Sequence, residues 1–160
     1  VGVSETGECM NLKTKGFTLI EIMIVVAIIG LLVAIMIPNF LRMRINTNES
    51  LIRGELRTFS TANETYRAAQ AVPVYAADIA TLHAGQYLDE RWVSGGKYGY
   101  SFKYVAAANG ETYGVEASPV SSGASGINYY CVDQTGVIRK SPTPGISGET
   151  GCTGGVSINT

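Results

Sequence analysis

A few residues in this chain could do chemistry, and each suggests a different kind. Glu21 is the only charged side chain in residues 17–37, "FTLIEIMIVVAIIGLLVAIMI". A carboxylate placed in lipid costs about 3 kcal/mol on insertion scales, so a chain that keeps one there has a use for it. The use open to it is pairing with a cation. Cys131 and Cys152 are too far apart for a C-x-x-C redox motif. The single His83 stands in a connecting segment, with no G-x-S-x-G or H-E-x-x-H pattern around it. Asp78, Asp89, Glu90, Asp133 and Glu149 are scattered and form no EF-hand-like loop. No catalytic residue, metal site or cofactor is assigned, and no enzyme activity is expected.

The elements that must position Glu21 follow from the apolar run. At about 1.5 Å per residue, a helix over residues 17–37 reaches roughly 31 Å, the hydrocarbon thickness of a bilayer. One membrane span is expected. The whole chain has 160 residues, so only a small head remains for a soluble core. Twelve Lys and Arg against thirteen Asp and Glu give a formal charge of −1, without the basic block that tracks a nucleic-acid backbone. Nucleic acid is not inferred as a partner. The run is also unlike a secretory signal, because "NLKTKG" precedes it and no A-x-A-like cleavage site follows it.

The stretch "KGFTLIE" resembles the processing site of a type IV prepilin, the signal shared by type IV pilins and type II secretion pseudopilins. The resemblance is sharp over residues 15–40. It implies that prepilin peptidase cuts between Gly16 and Phe17 and methylates the new amine of Phe17, leaving Glu21 as the fifth residue of the mature chain. It further implies that Glu21 meets the Phe17 amine of a neighbouring subunit, drawing it into a helical homopolymer. In an apolar medium, two opposite charges that meet offset each other's desolvation. The other reading is that Glu21 complements the positive N-terminal end of its own helix, worth roughly 0.3 to 1 kcal/mol at exposed sites. Met10 is the first Met, and a start there makes a seven-residue leader, "MNLKTKG". The expected organisation is a leader over 1–16, with 1–9 upstream of the true start, and a transmembrane and filament-core helix over 17–38. An amphipathic helix over 39–71 and a globular β head with a C-terminal loop over 72–160 complete it.

Within the helix, Pro38 lacks an amide hydrogen and should kink or break the backbone, while Gly30 adds freedom one to two turns earlier. The resemblance implies loosening between Gly30 and Pro38 in the filament; the alternative is an ordinary kinked membrane helix. Beyond Pro38, Ile52, Leu56, Phe59, Asn63 and Tyr66 fall on one stripe at helical spacing, ready to cover a core. Pro73 ends that pattern. A short helix is expected over residues 77–83. "KYGYSFKYV" alternates Tyr98, Tyr100, Phe102 and Tyr104 with small or charged residues, as a half-buried strand does. Asn109-Gly110 signals a hairpin, "ETYGVEA" places Tyr113, Val115 and Ala117 on one face, and "NYYCVDQ" with "VIRK" makes a second hairpin. The fold class expected is α+β, with a long N-terminal helix packed on a four-stranded antiparallel sheet.

Set outside the cytoplasm, the pair Cys131 and Cys152 reads as a disulfide, and the resemblance implies the same bridge, bounding a C-terminal loop. The chain is thus expected in the inner membrane, N-terminus inside, before assembly, and in an extracellular filament after it. The implied partners are copies of itself, prepilin peptidase, the pilus assembly platform and an outer-membrane secretin. Two alternatives stay open: a pseudopilin of type II secretion, and a monomeric membrane-anchored periplasmic binding module. The last leaves "KGFTLIE" and Glu21 unexplained.

Overall fold

The computed structural model describes residues 16–145 and 147–158. The expected start at Met10 and the leader lysines Lys13 and Lys15 lie outside the described residues. The chain divides into two compact units, with the boundary between Pro38 and Asn39. Helix α1 (Leu19–Ala69) is 51 residues long and has Pro38 inside it. Of the kink or break that the sequence suggests at Pro38, a break is not what the helix shows: it runs on through the proline. A proline removes one backbone bond, whereas ending a helix in an apolar run would orphan many more, which lipid penalises heavily.

The described apolar residues of the first unit lie on its surface. Phe17 is 84% exposed, and the large side chains from Leu19 to Ile37 are exposed with it. The helix is long and apolar enough to cross a membrane.

In the second unit α1 turns amphipathic and becomes one wall of a core. Ile52, Leu56, Phe59 and Asn63 are fully buried, and Tyr66 packs against the same cluster, as the helical spacing predicts. The polar interruption at Asn63 has a structural use. Its Oδ1 accepts from Ala76 N at 3.2 Å, and its Nδ2 donates to the Tyr104 hydroxyl at 3.2 Å. That hydroxyl in turn donates to Ala76 O at 2.6 Å. Helix α2 (Ile79–Ala84) follows, capped by Asp78, whose carboxylate accepts from Thr81 N at 2.7 Å. A short 3-10 helix (Glu90–Trp92) comes next.

The sheet lies across α1. Its order is β1-β2-β3-β4-β7, every pair antiparallel. Strands β1 (Tyr100–Ala106), β2 (Tyr113–Pro119), β3 (Tyr129–Asp133) and β4 (Arg139–Ser141) are the four expected, and β7 (Val156–Ser157) extends them. Tyr100, Tyr113, Val115, Ala117, Tyr130 and Val132 fill the helix-facing side. Phe59 is the hub, with ring centroids 4.9 Å from Trp92, 5.5 Å from Tyr104 and 6.2 Å from Tyr113. Tyr98, expected on the same face, is not in the strand. It takes a left-handed φ of 51° and stands 40% exposed. The bridge between Lys97 and Tyr100 folds the chain back just before the strand starts.

A second feature goes beyond the sequence reading. β5 (Ser147–Gly148) and β6 (Gly151–Cys152) form a two-stranded ribbon in the C-terminal segment. It rests against Gly114 of β2, where an added Cβ would stand 3.1 Å from Gly148 O and 3.3 Å from Gly151 O. A close approach of two backbones explains why this strand position is a glycine.

Buried charges pin the connecting segments. Glu49, 9% exposed, accepts from Ile127 N at 3.0 Å, Asn128 N at 3.1 Å and the Tyr130 hydroxyl at 2.8 Å. Lys97, 7% exposed, places Nζ 2.8 Å from Glu55 and 3.0 Å from Asp89, and 5.0 Å from the centre of the Trp92 ring.

Candidate functional site

The expected processing site stands where residue 16 meets the first turn of α1. Gly16, Phe17, Thr18 and Glu21 are all exposed. Thr18, immediately before the helix, donates to Glu21 Oε2 from its amide at 2.7 Å and from its hydroxyl at 2.6 Å. Glu21 N donates back to Thr18 Oγ1 at 3.4 Å. This reciprocal pair is a capping box, in which a Thr and a Glu three residues on satisfy the free amides of a helix start. It was legible in the sequence as T-x-x-E, and Thr18 is the residue that the sequence reading missed.

The geometry gives Glu21 a local partner, Thr18, in its own chain, beside which the own-helix and the intersubunit readings both stand. The two are compatible in chemistry. A carboxylate has about four lone-pair sites, and Thr18 occupies two of them on one oxygen. What the arrangement can do is hold an anion at a fixed place beside residue 17, on an exposed apolar surface.

The other expected site residues are distributed along the fold. Gly30 has no atom within 4 Å of the position an added Cβ would take, and Pro38 lies inside the continuous helix. Neither is brought near Glu21 by folding, since each is several turns along the same helix. Cys131 of β3 and Cys152 of β6 are joined by a disulfide, with their Cα atoms 5.9 Å apart. Its surroundings include Asp133, weighed in the sequence only as a metal ligand, and Glu116, which the sequence reading did not single out. Asp133 Oδ2 accepts from Cys152 N at 3.0 Å, and Glu116 accepts from Gly145 N at 3.1 Å and Ser147 N at 3.2 Å.

His83 Nδ1 lies 3.1 Å from the carbonyl oxygen of Leu88, within its own connecting segment. Among the described residues, no group of three His, Cys, Asp or Glu side chains could share a metal ion. Most of the tyrosines serve the core. Burial pushes the Tyr104 hydroxyl up to about 12, and burial with the bond to Glu64 does the same for Tyr75.

A helix able to cross a membrane, capped by Thr18 and Glu21 and continuing into a disulfide-closed α+β head, defines a class of proteins with one long N-terminal helix and a small head. The comparisons with known proteins narrow the class. Residues 11–37 match the profile of the prokaryotic N-terminal methylation motif. The chain is 35% identical over 118 residues to the type IV major pilin protein PilA of Myxococcus xanthus, covering 73% of this chain and 48% of the relative. It is 43% identical over 55 residues to the type IV wide pilus major component PilA4 of Thermus thermophilus, covering 34% of this chain and 42% of the relative. To the type IV narrow pilus major component PilA5 of the same organism it is 31% identical over 84 residues, covering 52% of this chain and 72% of the relative. The chain spans about half the length of the first relatives it matches. No solved structure matches it. The chain belongs to the type IV pilin family.

Proposed function

We propose that this chain is a structural subunit of a type IV pilus, cut after Gly16, methylated at Phe17 and polymerised through its apolar helix. The observation that carries the reading is the conjunction at the helix start. A single carboxylate, Glu21, stands one turn from residue 17, and the large apolar side chains beyond it are exposed in the isolated chain. Left in water those side chains would aggregate, so they belong in lipid or against other copies of the same helix. Cutting at Gly16 would turn the Phe17 amide into a cation beside an apolar surface, where Glu21 of a neighbouring copy offsets its desolvation. The relatives named above are major pilus components, which favours a pilus subunit over a pseudopilin and makes a structural role, without enzyme activity, the reading for this chain.

In this reading the subunit waits in the inner membrane with its N-terminus inside, then passes to an extracellular filament. The assembly platform and an outer-membrane secretin handle it on the way. Gly30 and Pro38 mark the stretch that loosens when copies pack. The organisation is a leader over 1–16, a membrane and filament-core segment over 17–38, an amphipathic segment over 39–71 and a head over 72–160.

The test is intact-mass and N-terminal analysis of filaments sheared from cells, in parallel with Glu21→Ala. The expected result is a chain that begins at methylated Phe17, present in wild-type filaments. In the variant it should be processed and membrane-bound but missing from the sheared fraction. Filaments at wild-type yield from Glu21→Ala would overturn the assembly role, and an uncut chain confined to the membrane would return the plain anchor.

A further inference from the structure

Glu116 and Asp133 face away from the main core and both are almost fully buried, at 3% and 4% exposure. Each reaches the segment that carries one half of the disulfide. On the sheet, Glu116 of β2 is the direct register partner of Cys131 of β3. Its carboxylate holds Ser147 N at 3.2 Å, and Ser147 is the direct register partner of Cys152 in the ribbon. Asp133, two residues from Cys131 on β3, holds the amide of Cys152 itself at 3.0 Å. Asp133 is fixed in turn, because its Oδ1 accepts from Thr135 N at 2.9 Å. Two independent noncovalent paths therefore connect the backbone of Cys131 to that of Cys152, besides the bond between their sulfurs.

We infer that Glu116 and Asp133 are positioning residues for the disulfide, docking the ribbon on the sheet so that the two thiols face each other before they are oxidised. The ribbon segment is rich in Gly, Ser and Thr and has little apolar surface with which to dock itself. Buried carboxylates accepting backbone amides supply what the missing hydrophobic contact does not, since bonds to charged groups are about twice as strong as neutral ones. The charged side chains that share this face are Lys103 of β1 and Arg139 of β4, in register with Glu116 and Cys131 respectively, and Glu149 in the ribbon turn. The role stands on the head alone and goes beyond the pilus reading.

The chemistry balances with oxidised glutathione as oxidant. One protein thiolate attacks a glutathione sulfur, forming a mixed disulfide and releasing one glutathione thiolate. The second protein thiolate then attacks the protein sulfur of that mixed disulfide, closing the bridge and releasing the second glutathione. The two thiol protons pass to solvent or to the departing thiolates. Positioning acts on the second step, which is intramolecular and set by the effective concentration of one thiol at the other.

The experiment uses the full chain in detergent with the third thiol removed by Cys9→Ser, reduced and then equilibrated in glutathione redox buffers, to read the effective concentration of Cys131 and Cys152. Glu116→Gln with Asp133→Asn should lower it by about tenfold or more, given bonds of this strength. Glu49→Gln, which disturbs a different loop, should leave it unchanged. An unchanged value in the double variant overturns the proposal, as does an equal fall in Glu49→Gln. If the double variant fails to fold, hydrogen exchange on the reduced wild-type chain decides. Protected amides at Gly145, Ser147 and Cys152 support docking without the disulfide, and exchange there at unfolded rates sinks it.

Discussion

Glu21 and Glu49 sit on the same helix and accept hydrogen bonds from opposite directions. Glu21 takes its bonds from the residue that starts the helix, whereas Glu49 takes them from residues 127, 128 and 130, far along the chain. Burial pushes the Glu49 carboxyl up, but the bonds from Ile127, Tyr130 and Asn128 outweigh it and leave the group below its ordinary value. The groups facing that network are the guanidinium of Arg53 on α1 and the neutral hydroxyls of Tyr100 on β1 and Tyr130 on β3. The sign follows from linkage. A carboxyl that binds its proton less readily in the folded state stabilises fully above its unfolded value of about 4.3, and that contribution is lost as pH falls through the lower folded value. Glu49→Gln should therefore destabilise the head by about 2 kcal/mol at pH 7, with the deficit shrinking towards pH 3. Thermal melts of both chains across that range would show it, and a gap that stays constant with pH would count against an ionised Glu49.

Elements came through from the sequence unevenly, for physical reasons. The stripe Ile52, Leu56, Phe59, Asn63 and Tyr66 was legible because one face of a helix repeats every 3.6 residues and a core must cover it. Tyr113, Val115 and Ala117 were legible by the period of two in a strand. Tyr98 was misread because alternation of residue types does not reveal where a chain takes a left-handed turn. The ribbon was invisible because its four residues carry no apolar pattern and are held by Glu116 and Asp133 from other strands. The disulfide could be expected once Cys9, upstream of the expected start, is set aside and two cysteines remain, yet nothing in their spacing points to the carboxylates beside them. Two predictions belong to this scale. Phe59→Ala, which removes the hub ring, should cost about 3 to 5 kcal/mol in chemical denaturation of the head. Gly114→Val should push the ribbon off β2 and raise exchange at Cys152 N, because its branched Cβ meets the Gly148 carbonyl.

For the molecule as a whole, the bridge between Cys131 and Cys152 closes a separation of 21 residues. In the chain-entropy account a loop of that size is worth roughly 3 kcal/mol, mainly by restricting the unfolded chain. Reduction should accordingly lower the melting temperature of the head while its near-UV circular dichroism at 25 °C stays native. Loss of that spectrum on reduction would mean that the bridge maintains the fold itself. A different consequence follows from the ring formed by Asn63 on the helix, Ala76 in the connector and Tyr104 on the sheet. Each member gives the others what they need, so replacing Asn63 or Tyr104 alone strands a buried polar group. Joint replacement by apolar side chains strands both the N–H and the C=O of buried Ala76 and spares only the Asn63 Nδ2 that losing Tyr104 alone would strand, so the two substitutions should be non-additive by about that one shared bond. In the history of such a head, either position would be slow to change, since any single step away from it leaves a buried group wanting, while the exposed loops around them drift freely.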